Sequence, residues 1–233
     1  MKKDIFELSR RILGSTYDYA DAYEKKLERE KNAPSVLLKK AVKYREKGEY
    51  WESKNHFEKA AKLGSYEAQK HLVDLYNEGV EVLNIKPNYT KALRRLEKLA
   101  ELDDEEAQYK CAYYYYCGLG TSKNFERAFN YALQSAEAGN NDALRLIGVL
   151  YLKGNGVEKN EKKAIEYIRR AAIQDDLYAQ MLLCECYLCY QKYYNSLKYL
   201  RIIEGKKSEL DKKGIKEFER MKQELNKARN GDF

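Results

Sequence analysis

The chain has 233 residues, and its 44 basic and 37 acidic side chains are interleaved rather than gathered into blocks. A net charge of +7 spread in this way does not form the basic face that nucleic-acid recognition needs, so nucleic acid is not an expected partner. Only two prolines occur, and their scarcity beside many Lys, Glu, Leu and Ala residues predicts an all-α protein.

The amino-terminal residues carry charges at positions 4, 7, 10 and 11, which interrupt the apolar run that a secretory leader requires. No later stretch approaches the ~20 apolar residues that cross a bilayer. We therefore expect a cytoplasmic protein without a membrane partner. A helix is predicted over residues 15–31, because Ser15 followed by Asp18 is a helix-start signal and Pro34 follows the end.

From residue 36 onwards the chain repeats itself. Ala107, Ala143 and Ala179 follow one another at intervals of 36 residues, and a tyrosine stands eight residues after each. With this alanine as position 0, repeats 3, 4 and 5 are preceded by repeat 2 at Ala68 and by a divergent repeat 1 at Val36. The position-8 tyrosines are Tyr44, Tyr76, Tyr115, Tyr151 and Tyr187. A fixed period of this size predicts stacked copies of one unit, each burying its apolar face against its neighbours.

Each repeat is predicted to contain two helices. Positions 4, 5 and 8 share one face of the first helix and are mostly apolar or small, so this face is expected to pack inward. Small residues such as Ala128 and Ala164 mark the second helix, and they allow neighbouring helices to approach closely. The Gly-x-Gly segments at 118–120 and 154–156 are expected to be turns between helices. They lack the preceding strand and the following Lys-Ser/Thr of phosphate-binding loops.

Residues 107–139 and 143–172 combine the alanine start, the position-8 tyrosine, the Gly-x-Gly loop, a later Lys/Arg-Ala pair and closing small residues. In this combination the chain resembles Sel1-like repeats, the 36-residue relatives of tetratricopeptide repeats, over residues 36–205. The resemblance implies a right-handed α-α solenoid of about five antiparallel helix pairs with a concave face. Repeat folds of this kind usually hold partners.

Residues 1–35 and 206–233 fall outside the repeats and are predicted to be helical caps. In the carboxy-terminal segment one apolar stripe runs along a charged helix. Its members are Gly214, Phe218, Met221, Leu225 and Ala228. We expect the stripe to seal the end of the solenoid, and a homodimer formed through it is the alternative.

Residues that could carry chemistry have structural explanations. Cys111, Cys184 and Cys186 fall at apolar or small positions, and the cysteines do not form a zinc-binding arrangement with either histidine. His56 stands where other repeats have tyrosine, so it is expected to be a packing or surface residue. The carboxylate pairs 103–104 and 175–176 fall at helix starts, where they are expected to act as caps.

We therefore expect no enzymatic activity, no cofactor and no metal. A hydrolase is the alternative suggested by disulfide-rich relatives of the family, but the paired cysteines that those relatives carry within each repeat are missing from this sequence.

The binding surface is expected on the first helices. The resemblance places ligand-facing residues at positions −1, 2, 6, 9 and 10 of each repeat. The predicted partner-binding residues are Tyr109, Tyr113, Tyr116, Arg145, Val149, Leu152, Lys153, Tyr178 and Met181. Aromatic and aliphatic side chains at solvent-facing positions favour binding of a partner, and Arg145 and Lys153 are expected to be available to an acidic group on it.

The sequence thus predicts a non-enzymatic scaffold or adaptor that binds a peptide or helix of a partner protein. A cytoplasmic immunity or inhibitor protein for a toxin or effector is an alternative within binding proteins. A further possibility is that a terminal helix of the same chain occupies the groove.

Overall fold

The computed structural model describes residues 25–79 and 86–230, and every regular element in these ranges is helical. Residues 25–31 form the end of a helix that stops before Pro34, as predicted, whereas the predicted start at Ser15 lies outside the described residues. The α-helices that follow are α1 (Pro34–Glu46), α2 (Tyr50–Lys62), α3 (Tyr66–Glu78), α4 (Tyr89–Ala100), α5 (Glu105–Cys117), α6 (Phe125–Glu137), α7 (Asn141–Lys153), α8 (Glu161–Ile173), α9 (Leu177–Cys189), α10 (Tyr193–Gly205) and α11 (Lys212–Asn230). Within the described ranges no helix is both long and apolar enough to span a membrane.

Helices α1 to α10 are the five predicted pairs, with an odd-numbered first helix and an even-numbered second helix in each repeat. The chain divides into two compact bodies between Arg95 and Leu96. The amino-terminal body contains repeat 1 and most of repeat 2. The carboxy-terminal body contains the end of α4, repeats 3 to 5 and α11.

The first helices of repeats 2 to 5 all begin on the same kind of cap. A side-chain oxygen three residues before position 0 accepts a hydrogen bond from the position-0 nitrogen, at distances of 2.8–3.3 Å. The capping residues are Ser65, Asp104, Asn140 and Asp176. These caps satisfy N–H groups that a helix start leaves without a partner. Because each helix starts in the same register, equivalent positions occupy equivalent faces.

The predicted inward face of the first helices is buried. The position-0 alanines of repeats 2 to 5 are at most 3% exposed, and their position-8 tyrosines are 4–7% exposed. Cys111 and Cys184 are fully covered, which confirms the prediction that they act as small hydrophobic residues. In repeat 4 a Cβ on Gly148 would lie 2.4 Å from Cγ1 of Ile168, so the close approach of α8 requires the glycine at position 5.

The position-8 tyrosines also join the two helices of a repeat. In four repeats the ring packs against an aromatic ring of the second helix, with centroids 5.0–6.0 Å apart. The pairs are Tyr44–His56, Tyr115–Tyr131, Tyr151–Tyr167 and Tyr187–Tyr199. His56 is therefore a packing residue, as expected. In repeat 2 this place on the second helix holds Arg95.

The Gly-x-Gly segments are turns, as predicted. Gly118 and Gly154 end α5 and α7 in the left-handed conformation, with φ of +77° and +67°. Position 156 also requires glycine for steric reasons, because a Cβ there would lie 2.2 Å from the carbonyl carbon of Phe125. Glycine is thus needed for helix connections, which leaves no reason to assign these segments to a nucleotide.

The two residues of each predicted carboxylate pair have different roles. Asp104 and Asp176 are caps, which confirms the prediction for the second residue of each pair. The prediction was wrong for Asp103 and Asp175, which have φ of +59° and +70° and form the turn before the cap. They stand one residue too early to cap, in the place that a glycine holds before repeats 2 and 4, and aspartate tolerates this conformation better than most side chains.

Helix α11 takes the place of a sixth first helix. The nitrogen of Gly214 donates to Oδ1 of Asp211 at 2.7 Å, so Asp211 is the cap and Gly214 corresponds to position 0. Along the predicted stripe Phe218, Met221 and Leu225 are 0%, 2% and 8% exposed. They pack in one cluster with residues of α9 and α10, among them Met181, Cys184, Leu200 and Ile203. Because these three residues are covered within the chain, they do not form an open surface for a homodimer.

Charged residues on α11 stand where the earlier first helices bury apolar ones. Glu219 and Lys222 correspond to positions 5 and 8. Glu219 accepts from Lys207 at 2.5 Å, and Lys222 donates to Glu204 at 2.8 Å. A helix with these charges gives the stack a polar end, as the terminal unit of a repeat protein requires.

Candidate partner-binding groove

The predicted binding residues lie on α5, α7 and α9, and the structure connects them from one helix to the next. Side-chain contacts join Tyr116 of α5 to Lys153 of α7, and Arg145 of α7 to Tyr178 of α9. We call the surface formed by Tyr109, Tyr113, Tyr116, Arg145, Val149, Leu152, Lys153 and Tyr178 the tyrosine groove. Each of these side chains is exposed or partly exposed.

The α5 end of the groove is aromatic. Tyr113 is 45% exposed, and its ring centroid lies 6.5 Å from that of Tyr109. Tyr109 and Tyr116 are partly buried against the core, and the ring of Tyr116 lies 5.8 Å from that of Phe125. Burial raises the pKa of the Tyr109 phenol, and the nearby Asp142 carboxylate acts in the same direction. Tyr109 and Tyr116 are therefore anchored by packing, whereas Tyr113 is the most exposed ring of this end.

Lys153 connects the aromatic end to α7. Its Nζ donates to Oη of Tyr116 at 3.1 Å and lies 5.8 Å from the centre of the same ring. The ammonium group is exposed and has hydrogen-bonding capacity left, since it carries three donors. Lys153 can therefore contact a negative group on a ligand beside the aromatic surface.

Arg145 is engaged by acidic residues of the chain itself. Its Nε donates to Oδ2 of Asp176 at 2.9 Å, its Nη2 pairs with Asp142, and the guanidinium lies 5.8 Å from the ring centre of Tyr178. With two carboxylate partners in place, Arg145 is not the free cation that the sequence suggested for an acidic ligand group. It instead positions Tyr178 next to the cap of α9.

The groove continues past α9 to α11. A pocket of about 410 Å³ is lined by Arg145, Val149 and Tyr178 together with Lys213, Glu217 and Arg220 of α11. Counted from Gly214, Lys213 and Arg220 stand at positions −1 and 6, which are ligand-facing positions of the other first helices. Arg220 donates to Glu185 of α9 at 2.7 Å. The terminal helix thus extends the groove at one end and does not fill it over repeats 3 and 4.

Met181 differs from the other predicted site residues because it is 7% exposed and belongs to the cluster under α11. It lines the floor of the pocket at the α11 end of the groove, so the structure brings it together with Arg145 and Tyr178 although little of its surface is exposed.

Sequence reasoning missed Lys213 and Arg220. The available signal was Asp211 three residues before a small residue, which repeats the spacing of Asp176 and Ala179.

The chain was compared with known proteins. A family model described as Sel1 repeat matches residues 52–65, 72–104, 105–140 and 141–176, together just over half of the chain. A solved Sel1 repeat protein from Oxalobacter formigenes is similar, with a TM-score of 0.64 and 26% identity over 83% of this chain and 82% of that one. A protective antigen of uropathogenic Escherichia coli strains with an SLR fold has a TM-score of 0.63 at 21% identity, over 86% of this chain and 47% of the antigen. The second likeness concerns the fold alone. A search of curated proteins found no match.

Residues of repeat 5 after Asp176 lie beyond the match, yet the repeat starts on the Asp176 cap and has the Tyr187–Tyr199 stack that repeats 3 and 4 also have. The predicted fold class, an all-α helical-repeat solenoid, is that of the related structures. Sel1 repeat proteins are generally protein-interaction scaffolds and are typically not catalysts. On the match and the geometry together, the chain belongs to the Sel1 repeat family.

Proposed function

We propose that the tyrosine groove binds a peptide or helix of a partner protein and that the chain acts as a non-enzymatic scaffold. The observation that carries the proposal is exposed aromatic surface on helices whose opposite faces form the core. Tyr113 and Tyr178 are each 45% exposed and lie on α5 and α9, at the two ends of the groove.

The composition of the groove suits a protein ligand. Tyrosine offers a large apolar ring with a polar tip, and it is enriched among the residues that dominate binding energy in interfaces. Val149 and Leu152 add aliphatic surface between the aromatic ends, and both are only partly buried. A partner segment that presents several apolar anchors along one face would match this arrangement.

The charges of the groove suggest how the partner is oriented. Lys153 is the cation beside the aromatic end, whereas Arg220 and Arg145 at the other end are paired with carboxylates of the chain. An acidic residue on the partner is therefore expected near Lys153. Such a contact at the edge of an interface affects association rate and specificity more than affinity.

The test compares partners recovered with groove variants and a matched surface variant. Tyr113→Ala and Tyr178→Ala remove exposed rings inside the groove. Tyr194→Ala removes a ring that is 84% exposed on α10, outside the groove. A photo-reactive residue placed at 113 or at 194 in turn, followed by mass spectrometry, identifies the proteins that touch each surface.

We expect cross-linked partners from position 113, and we expect their recovery to fall in the two groove variants and not in Tyr194→Ala. With an identified partner, each groove substitution should weaken binding by about 2 kcal/mol, or roughly thirtyfold. Recovery of the same partners at the same level with Tyr113→Ala, Tyr178→Ala and the unaltered chain would contradict the proposal.

A further inference from the structure

A second cleft lies on the carboxy-terminal body, and no residue of the tyrosine groove lines it. We call it the outer cleft. It has a volume of about 720 Å³ and lies between the end of α4 and helix α6. Its lining includes Glu101, Asp103, Gln108, Arg127, Tyr131 and Glu137.

Gln108 lines this cleft and carries a buried acceptor without a partner. The side chain is 5% exposed, and its Nε2 donates to the carbonyl oxygen of Ala100 at 3.5 Å. Its Oε1 has no hydrogen-bond partner among the described residues. A buried acceptor without a donor is costly, so this oxygen favours a ligand that supplies an N–H group.

Repeat 2 has the same glutamine position with its acceptor satisfied. Nε2 of Gln69 donates to the carbonyl oxygen of Ala61 at 3.1 Å, and its Oε1 accepts from Nη1 of Arg95 at 2.9 Å. In repeat 3 the place of Arg95 is held by Tyr131. In repeat 2 the buried glutamine therefore accepts a hydrogen bond from a guanidinium group. Repeat 3 does not supply such a donor.

The charge of the outer cleft also favours a cation. Glu101, Asp103 and Glu137 are exposed, and within residues 25–79 and 86–230 none of the three forms an ion pair. Arg127 is a cation in the lining, but it pairs with Glu97 at 3.3 Å and lies 4.4 Å from the ring centre of Tyr115. The cleft is thus locally acidic in a chain whose net charge is +7.

We propose that the outer cleft binds an arginine side chain of a partner protein. The side chain of Gln108 turns its Oε1 toward the cleft to accept from the guanidinium group, and the surrounding carboxylates balance its charge. The ring of Tyr131 offers an aromatic surface for the planar group. This is a second contact surface for the scaffold, and it does not depend on the tyrosine groove.

The first experiment titrates the full chain with arginine blocked at its amino and carboxyl groups, so that only the side chain is charged. The side-chain amide signals of Gln108 are followed by nuclear magnetic resonance. Blocked citrulline, a neutral ligand of nearly the same shape, should bind at least about tenfold more weakly, because charge-assisted hydrogen bonds are the stronger ones. Equal binding of the two compounds, or no response of Gln108 to blocked arginine, would overturn the proposal.

Variants test the role of the glutamine. Gln108→Leu should weaken blocked arginine about tenfold or more. The fold accepts leucine here, because repeat 4 holds the buried Leu144 at the same position. Gln180→Leu is the matched control, since Gln180 is 4% exposed in repeat 5, donates to Ala172 and also has an unpartnered Oε1. An equal loss of binding in both variants would contradict the proposal.

A third variant separates binding from folding. Asp103→Gly removes a carboxylate of the outer cleft at a backbone position that glycine occupies before other repeats. Weaker binding of blocked arginine without loss of thermal stability supports the proposal, and unchanged binding counts against it. Tyr113→Ala should leave blocked arginine binding unchanged, so failure at this cleft and failure at the tyrosine groove are distinguishable.

Discussion

Tyr113 and Tyr115 stand two residues apart on α5, yet the first is 45% exposed and the second 4%. Tyr115 is the position-8 tyrosine, which every repeat has. It stacks on Tyr131 and donates to Oε1 of Glu97 at 2.6 Å. Tyr113 has no counterpart in the other repeats and faces the tyrosine groove. The repeat register, not the residue type, therefore separates a tyrosine that holds the fold from one that is available to a partner.

The comparison is tested most strongly by truncating each tyrosine. Tyr115→Ala should lower the free energy of unfolding by about 3–5 kcal/mol, because it removes a buried ring and leaves a cavity. Tyr113→Ala should lower it by no more than about 1 kcal/mol, since Tyr113 is 45% exposed and lies outside the buried core. Chemical denaturation of both variants measures the two values. A loss in Tyr113→Ala close to that in Tyr115→Ala would break the distinction.

A second prediction concerns the small residues at position 5. Gly148→Ala should lower the free energy of unfolding by about 1–3 kcal/mol, because the new Cβ would lie 2.4 Å from Ile168 and the core must shift. Ala112 holds the same position in repeat 3, so alanine itself is compatible with the register. Ile168→Ala removes both side-chain carbons that the new Cβ would meet, so the double variant Gly148→Ala with Ile168→Ala should lose less than the sum of the two single losses. A loss equal to that sum would mean that the clash involves the backbone of α8 instead.

The features that the sequence predicted well are those set by local geometry and repeated along the chain. Position 0, position 8 and the glycine turns could be recognised because each recurs and each has one physical cause, such as burial or a left-handed backbone. The side-chain partners of the groove could not be predicted in the same way. Asp176 pairs with Arg145 across 31 residues while it also caps α9, and a repeat pattern assigns it only the second role.

Helix α11 was only partly recognised for a related reason. Its apolar stripe was visible in the sequence, but position 0 is Gly214 instead of alanine, and Lys222 replaces the tyrosine at position 8. With both markers changed, the stripe predicted a cap but left a dimer surface as the alternative. The contacts with α9 and α10 favour the cap, and these contacts also place Met181 under α11.

A third prediction follows from the hydroxyl groups of the repeated tyrosines. Burial and a hydrogen bond to Glu58 raise the pKa of Tyr76 to about 12, whereas an unfolded chain has a tyrosine pKa of about 10. Below pH 10 both states keep the proton. Between pH 10 and 12 the unfolded chain loses it first, so the free energy of unfolding falls as the pH rises.

Tyr76→Phe should therefore cost about 1 kcal/mol at neutral pH, through loss of the 2.9 Å hydrogen bond, and should make the alkaline decline shallower. Denaturation curves between pH 7 and 12 test both effects. Tyr194→Phe, altered at an 84% exposed ring, should leave both the neutral value and the slope unchanged. An identical slope in Tyr76→Phe and the unaltered chain would show that the repeated hydroxyl does not contribute.

The smallest expected effect concerns the left-handed turn before repeats 2 to 5, which is formed by glycine in two places and by aspartate in the other two. Asp103 and Asp175 hold the left-handed turn that Gly64 and Gly139 hold elsewhere. Asp103→Gly should raise the free energy of unfolding by about 0.5–1 kcal/mol, because glycine adopts a positive φ without the steric cost of a Cβ. Asp175→Gly should bring no gain, since Asp175 accepts from Gln180 at 3.2 Å and pairs with Lys206. Parallel thermal denaturation of the two variants makes the comparison, and an equal gain in both would mean that these side-chain contacts add nothing to the turn.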